Sequence, residues 1–201
     1  MNQNLTEIVF ILDRSGSMAG LENDTIGGFN GFVKKQAENG QTSLTTVLFD
    51  DKYEILHNGI DADNVILTNE EYFTRGSTAL LDAIGKTINN VGGRLNETPE
   101  DSRPCKVIFV ITTDGLENAS MEFSYKEIKK MITHQSEKYA WEFIFIGANI
   151  DVVQEGSKLG IDASRSIGFS ATGQGICTMF KSVSSLCSTA RTDKRKQKKP
   201  V

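Results

Sequence analysis

The residues Asp13-Arg14-Ser15-Gly16-Ser17-Met18 follow directly on the apolar run Ile8 to Leu12. One carboxylate and two hydroxyls therefore stand two residues apart where a buried strand would leave its sheet, and Gly16 suits a tight turn there. All three are oxygen donors. Hard cations such as Mg²⁺ take oxygen ligands, in octahedra at about 2.0–2.1 Å that retain several waters. Serine hydroxyls are neutral, so this loop needs more oxygen from elsewhere. Two segments offer it. Gly76-Ser77-Thr78-Ala79-Leu80 stands just ahead of a helical repeat, where a hydroxyl residue also serves as a cap. Thr112-Thr113-Asp114-Gly115 ends a second apolar run, Val107 to Ile111. If the two runs are neighbouring strands, Asp13 and Asp114 emerge together, and two close carboxylates repel unless a cation lies between them. Singly, each piece has an ordinary explanation: a turn or capping string, an N-cap, an Asp-Gly turn. Their joint order at the ends of the two most apolar strands points to a metal site.

Asp13-X-Ser15-X-Ser17, then Thr78 within Gly-Ser-Thr-Ala-Leu, then a strand ending Thr113-Asp114-Gly115, resembles the metal-ion-dependent adhesion site of von Willebrand factor A domains. The likeness extends over about residues 5–190. It is nearest to the small bacterial and phage members, some of which occur among tellurium-resistance and stress-associated proteins, and unlike animal adhesion receptors. The resemblance implies that Ser15, Ser17 and Thr78 coordinate a divalent cation directly and that Asp13 and Asp114 act directly or through water. It implies Mg²⁺, with Mn²⁺ or Ca²⁺ as alternatives. One coordination position would stay open for an acidic residue of a partner protein. It also implies a six-stranded sheet with one short antiparallel edge strand.

Other polar residues are weaker candidates. Glu22 and Asp24 lie near the first loop, but acids in a first helical turn are what the helix dipole favours. Asp82, four residues after Thr78, either faces the site or makes a local hydrogen bond. Arg14 and Arg75 are expected to be solvated surface arginines, with steering of an acidic partner as the alternative. His57 and His134 have no further histidine or paired acid at ligand spacing and are expected to be structural or exposed. An enzyme reading, phosphoryl transfer by the same aspartates, lacks its general acid, because Ser15 stands where Asp-X-Asp phosphatases carry a second aspartate. No phosphate-binding Gly-X-X-X-X-Gly-Lys-Ser/Thr loop and no Gly-X-Ser-X-Gly elbow occurs. A third reading is a structural domain in which the metal only holds loops.

The surrounding pattern must place these groups. Ile8–Leu12, Val107–Ile111 and Trp141–Ile146 are short apolar runs suited to strands buried on both faces. Thr42–Phe49 and Tyr53–Leu56 predict a hairpin turning at Asp50-Asp51, and the polar stretch Asn58–Arg75 has no clear element. Helical spacing runs from about Thr25 through Val33, from Ala79 to a stop at Gly92-Gly93, over Ser124–Lys138, Val152–Leu159 and Gly175–Ala190. Gly27, Gly28 and Gly31 weaken the first of these and suggest a helix lying close to the sheet. Asn96–Pro104 is read as a loop, and Ser166–Phe169 as a short edge strand. Alternating strands and helices predict an α/β, doubly wound, Rossmann-like, mostly parallel sheet with helices on both faces. Ligands in such sheets bind beyond the carboxyl ends of the strands, where strand order reverses.

Length and composition agree with one such domain. The chain has 201 residues, 38% hydrophobic and 24% charged, enough for one sizeable core and no more. Residues 1–190 are read as the domain and 191–201 as a basic, disordered tail. Six basic residues against Asp193 make that tail +5 and leave the body at −9 within a net charge of −4. Such a run is ordinarily a solvated end, with nucleic-acid or membrane contact as the alternative. No apolar run approaches the roughly 20 residues of a membrane span. The first residues lack a secretion signal, so a cytoplasmic location is expected. Cys105, Cys177 and Cys187 are too scattered for a disulfide framework or zinc knuckle and are read as small buried hydrophobes.

Overall fold

The computed structural model describes residues 1–192. Residues 193–201, which carry most of the expected basic, disordered tail, lie outside the described residues. The chain runs β1 (Asn2–Asp13), α1 (Glu22–Glu38), β2 (Thr42–Phe49), β3 (Tyr53–Asp61), α2 (Leu80–Glu97), β4 (Pro104–Thr113), α3 (Tyr125–Tyr139), β5 (Glu142–Ala148), α4 (Val152–Leu159), β6 (Ser166–Phe169) and α5 (Gly173–Thr192). The sheet order is β3-β2-β1-β4-β5-β6. All neighbours are parallel except β2 and β3. The sheet is thus the expected doubly wound one, with its order reversing between β1 and β4, the two strands that end in Asp13 and just before Asp114.

Alternation along the buried strands sends side chains to two cores. Ile8, Phe10 and Leu12 pack with Ile108, Val110 and Ile144 under α1 and α5, which contribute Phe29, Phe32, Ile176 and Phe180. Val9 and Ile11 pack with Phe109, Ile111 and Phe145 under α2 and α3, which contribute Ile84, Ile88, Val91 and Ile128. A strand apolar at every position is what burial on both faces requires.

Several expectations are corrected. α2 does not stop at Gly92-Gly93 but runs to Glu97, into the stretch read as a loop. Two glycines cost a helix roughly 0.5–1 kcal/mol each against alanine, but Leu95 packs on the core beyond them and Arg94 pairs with buried Glu7. The helix ends where the Thr98 hydroxyl donates to Arg94 O at 2.8 Å. β3 extends to Asp61, into the first residues of the polar stretch Asn58–Arg75, because an edge strand needs no apolar outer side. Gly28 brings α1 close to α5 and not to the sheet: a side-chain carbon there would lie 2.2 Å from the Phe180 ring. Cys177 is exposed on α5, whereas Cys187 is buried, its thiol pushed up to about 12 by that burial. α5 includes Arg191, which is not part of a tail: its guanidinium donates to Thr42 Oγ1 at 2.7 Å and to Gln36.

Candidate metal site at the carboxyl ends of the central strands

The five predicted residues are brought together. Asp13 ends β1 opposite Phe49 of β2, one position beyond the Leu12–Thr112 pairing with β4. It is 1% exposed, and both its oxygens are occupied. Oδ1 accepts Ser15 N and Oδ2 accepts Thr113 Oγ1, each at 2.7 Å. Below it Tyr72, otherwise unannounced in the sequence, donates its hydroxyl to the Asp13 carbonyl at 2.7 Å. The Ser15 and Ser17 hydroxyls lie 3.1 Å apart, and Ser17 donates to Asp114 Oδ1 at 2.5 Å. Thr78 lies across Gly115 from Ser17: a side-chain carbon on Gly115 would lie 3.6 Å from Ser17 Oγ and 3.7 Å from Thr78 Oγ1. The turn after β1 does not rely on a left-handed Gly16. In that loop the left-handed conformation falls at Gly20, φ 86°, and in the facing loop at Gly76, φ 66°, where an added side chain would strike Asp51.

Thr78 does not cap α2. The cap position is Ala79, whose methyl group offers no hydrogen-bond acceptor. Instead the loop after β4 supplies the acceptors: Leu81 N donates to Glu117 Oε2 at 2.9 Å and Asp82 N to Ser120 Oγ at 3.0 Å. This leaves the Thr78 hydroxyl to the site. Asn118 grips the Thr78 backbone from both sides, its Oδ1 accepting Thr78 N and its own N–H donating to Thr78 O. Asp82 makes no local hydrogen bond: it anchors the loop after β4, accepting the backbone N–H groups of Met121, Glu122 and Phe123, some 40 positions on. Neither Glu117 nor Asn118 had a readable signal, since both depend on a neighbour some 40 positions away.

Arg14 is the clearest departure from expectation. It is 1% exposed, not a solvated arginine. Its Nε meets Asp50 Oδ2 at 2.9 Å and its Nη2 meets Glu54 Oε2 at 2.7 Å. Arg75, about one third exposed, meets the same Asp50 oxygen at 2.7 Å and lies over Phe73. Burial would push Asp50 up, but Arg75, the Lys52 N–H and Arg14 together hold it below the usual carboxylate range. His57 is half-buried in β3 and His134 exposed on α3, in line with a structural or exposed reading.

The electrostatics of the two aspartates are opposite to those of Asp50. Burial pushes Asp13 up to about 6, against hydrogen bonds from Thr113 and Ser15, and neighbouring Asp114 adds to the rise. Burial also raises Asp114, against the Ser17 hydrogen bond. Asp114 Oδ2 is buried without any hydrogen-bond partner. A buried carboxylate oxygen without a partner is costly, and beside a second carboxylate it is the place where a cation would be most strongly held. The donors, two carboxylates and three hydroxyls, are all hard oxygens, so the residues present fit a divalent cation of the Mg²⁺ type. Among the described residues no group of three or more His, Cys, Asp or Glu gathers as a metal site. The candidate therefore depends on hydroxyls for most of its ligands.

No protein-family model matches the chain, and no curated protein matches it. Solved structures do. The vWF domain of the type V pili tip protein Mfa5 from Porphyromonas gingivalis superposes with a TM-score of 0.70 at 11% identity, over 94% of this chain and 97% of that one. Proximal thread matrix protein 1 from the mussel byssus, in a form with a zinc-occupied MIDAS motif, gives 0.61 at 15%, over 93% of this chain and 47% of that one. The chain thus spans about half the length of the mussel protein. Manganese-loaded TRAP protein of Plasmodium vivax gives 0.55 at 17%, over 73% and 58%. The fold is that of von Willebrand factor A domains, and at such identities the likeness speaks to the fold alone.

Proposed function

We propose that this domain is a metal-dependent protein-binding module. Asp13, Ser15, Ser17, Thr78 and Asp114 hold a divalent cation, Mg²⁺ in the first instance, and an acidic side chain of a partner protein takes the coordination position left open. The observation that carries this is the buried, unpartnered Asp114 Oδ2 beside the burial-raised Asp13. Two of the structural relatives are described as metal-loaded, one with zinc and one with manganese, which supports a divalent ion without selecting Mg²⁺. The bound cation would supply positive charge for a carboxylate. The chain's part is to hold the Ser15, Ser17 and Thr78 oxygens facing one point and to keep Asp13 and Asp114 ionised there.

Recognition is favoured over hydrolysis by what surrounds the aspartates. Both Asp13 oxygens are engaged by Ser15 N and Thr113 Oγ1, which suits a fixed anion better than a nucleophile, and neither histidine is near to move a proton. The cytoplasmic setting and the kinship with small bacterial and phage members belong to the same proposal. Among the described residues no helix is long and apolar enough to cross a membrane.

Thermal or chemical unfolding with Mg²⁺ against EDTA is the first test. Free ion at about 100 times its Kd is expected to stabilise the fold by roughly 2.7 kcal/mol, and Asp13→Ala to abolish the difference. A wild-type protein indifferent to Mg²⁺, Mn²⁺ and Ca²⁺ would sink the metal reading. Capture of the same partners by wild type and by Ser15→Ala/Ser17→Ala would sink metal-mediated recognition.

A further inference from the structure

We propose that Asp50 is the positioning residue of this site: its buried carboxylate, which belongs to none of the five ligands, sets the spacing between the two segments that supply the hydroxyls. The inference rests on the metal-site reading above and names what holds that site in shape.

Two ligand-bearing segments converge on one residue. The Asp50 carboxylate takes Arg14, the residue between Asp13 and Ser15, at 2.9 Å, and Arg75, just ahead of Gly76 and Thr78, at 2.7 Å. Both guanidinium groups use the same oxygen, Oδ2. The other, Oδ1, accepts Lys52 N at 2.6 Å and fixes the β2–β3 turn. The Asp50 carbonyl accepts Ala79 N, next to Thr78, at 2.9 Å. Backbone contacts between the segments run alongside: Arg75 N to Arg14 O at 2.9 Å and Gly16 N to Gly76 O at 3.2 Å. From Thr78, Asn118 carries the connection to the loop that follows Asp114. Asp50 is 0% exposed and Arg14 1%, so neither charge has water to replace a lost partner. A neutral side chain at position 50 would leave Arg75 without its anion and buried Arg14 with only the half-exposed Glu54, so the two hydroxyl-bearing loops would be joined by backbone hydrogen bonds alone and their spacing would loosen.

The fold contains its own control. At the opposite end of the sheet, buried Glu142 is likewise shared by two cations, Lys106 at 3.5 Å and Arg165 at 2.8 Å. It lies at the start of β5 and so contributes to stability without bordering the site.

The test is calorimetric titration of Mg²⁺ and of Ca²⁺ into the purified chain, with unfolding followed in parallel. Asp50→Asn keeps the backbone carbonyl and the shape of the side chain. It is expected to weaken Mg²⁺ binding by at least roughly tenfold and to narrow the preference for Mg²⁺ over Ca²⁺, because discrimination between the two depends on site rigidity and size. Glu142→Gln is expected to lower stability and leave both metal affinities at their wild-type values. Wild-type affinities and ratio in folded Asp50→Asn would overturn the proposal, as would an equal change in Glu142→Gln. Should Asp50→Asn fail to fold, Arg75→Gln removes one arm from the solvent side. A smaller weakening in the same direction supports the proposal, and none overturns it. A wild-type chain that binds neither ion removes the metal reading itself, and this inference with it.

Discussion

Asp13 gives the site a pH dependence whose sign follows from its surroundings. Its folded carboxyl, without a cation, is pushed up to about 6 by burial, whereas an unfolded aspartate titrates near about 3.9. A carboxyl raised on folding favours the fold below the unfolded value, and that contribution is lost as the pH climbs through the folded value. In EDTA, stability is therefore expected to fall between about pH 4 and pH 6, by on the order of 3 kcal/mol, and Asp13→Asn to remove most of this fall. With Mg²⁺ present the trend reverses, since deprotonated Asp13 is the form that accepts the ion, so affinity rises over the same interval. Denaturant titrations across this range, with and without metal, check both. An EDTA curve unchanged by Asp13→Asn would place the titration elsewhere.

At the scale of elements, neighbouring glycines of α1 should respond in opposite directions. Nothing lies within 4 Å of a side-chain carbon built on Gly27, whereas on Gly28 it would lie 2.2 Å from the Phe180 ring. Gly27→Ala is expected to stabilise by about 0.5–1 kcal/mol, the intrinsic helix preference. Gly28→Ala is expected to destabilise by about 1–3 kcal/mol, because overpacking against α5 outweighs the same preference. Denaturant midpoints decide it, and equal effects at both positions would show that α1 and α5 can move apart. The sequence showed three glycines in this helix but not which one meets a neighbour, because that depends on where α5, some 150 residues later, comes to lie.

The limits of the folded unit are a property of the whole molecule. The basic cluster reads as a uniform tail from Arg191, yet Arg191 reaches Thr42 and Gln36 across the interface of α5 with α1 and β2. A chain ending at Thr192 is expected to be more stable than one ending at Ala190 by about 1–2 kcal/mol, the worth of charge-assisted hydrogen bonds from a half-buried guanidinium. Thermal unfolding of the two truncations measures this. Equal midpoints would return Arg191 to the tail.

How much of the protein was legible in the sequence follows from the range of the forces involved. Strands apolar on both faces, helical spacing and the local string Asp13-X-Ser15-X-Ser17 are short-range patterns, and from them the sheet type and its switch point could be read, together with candidate oxygens at the strand ends. Tertiary structure alone decided what pairs with what. Arg14 looked solvated because its partners, Asp50 and Glu54, are some 36 to 40 positions away. Asp50 looked like a turn residue because a buried carboxylate is recognisable only by the cations that meet it. Glu117 and Asn118 are undistinguished until they reach the start of α2 and Thr78. The sequence by itself determined which oxygens end the central strands. Only the folded chain decided what holds those oxygens in place, because buried charge is tolerated where long-range partners neutralise it.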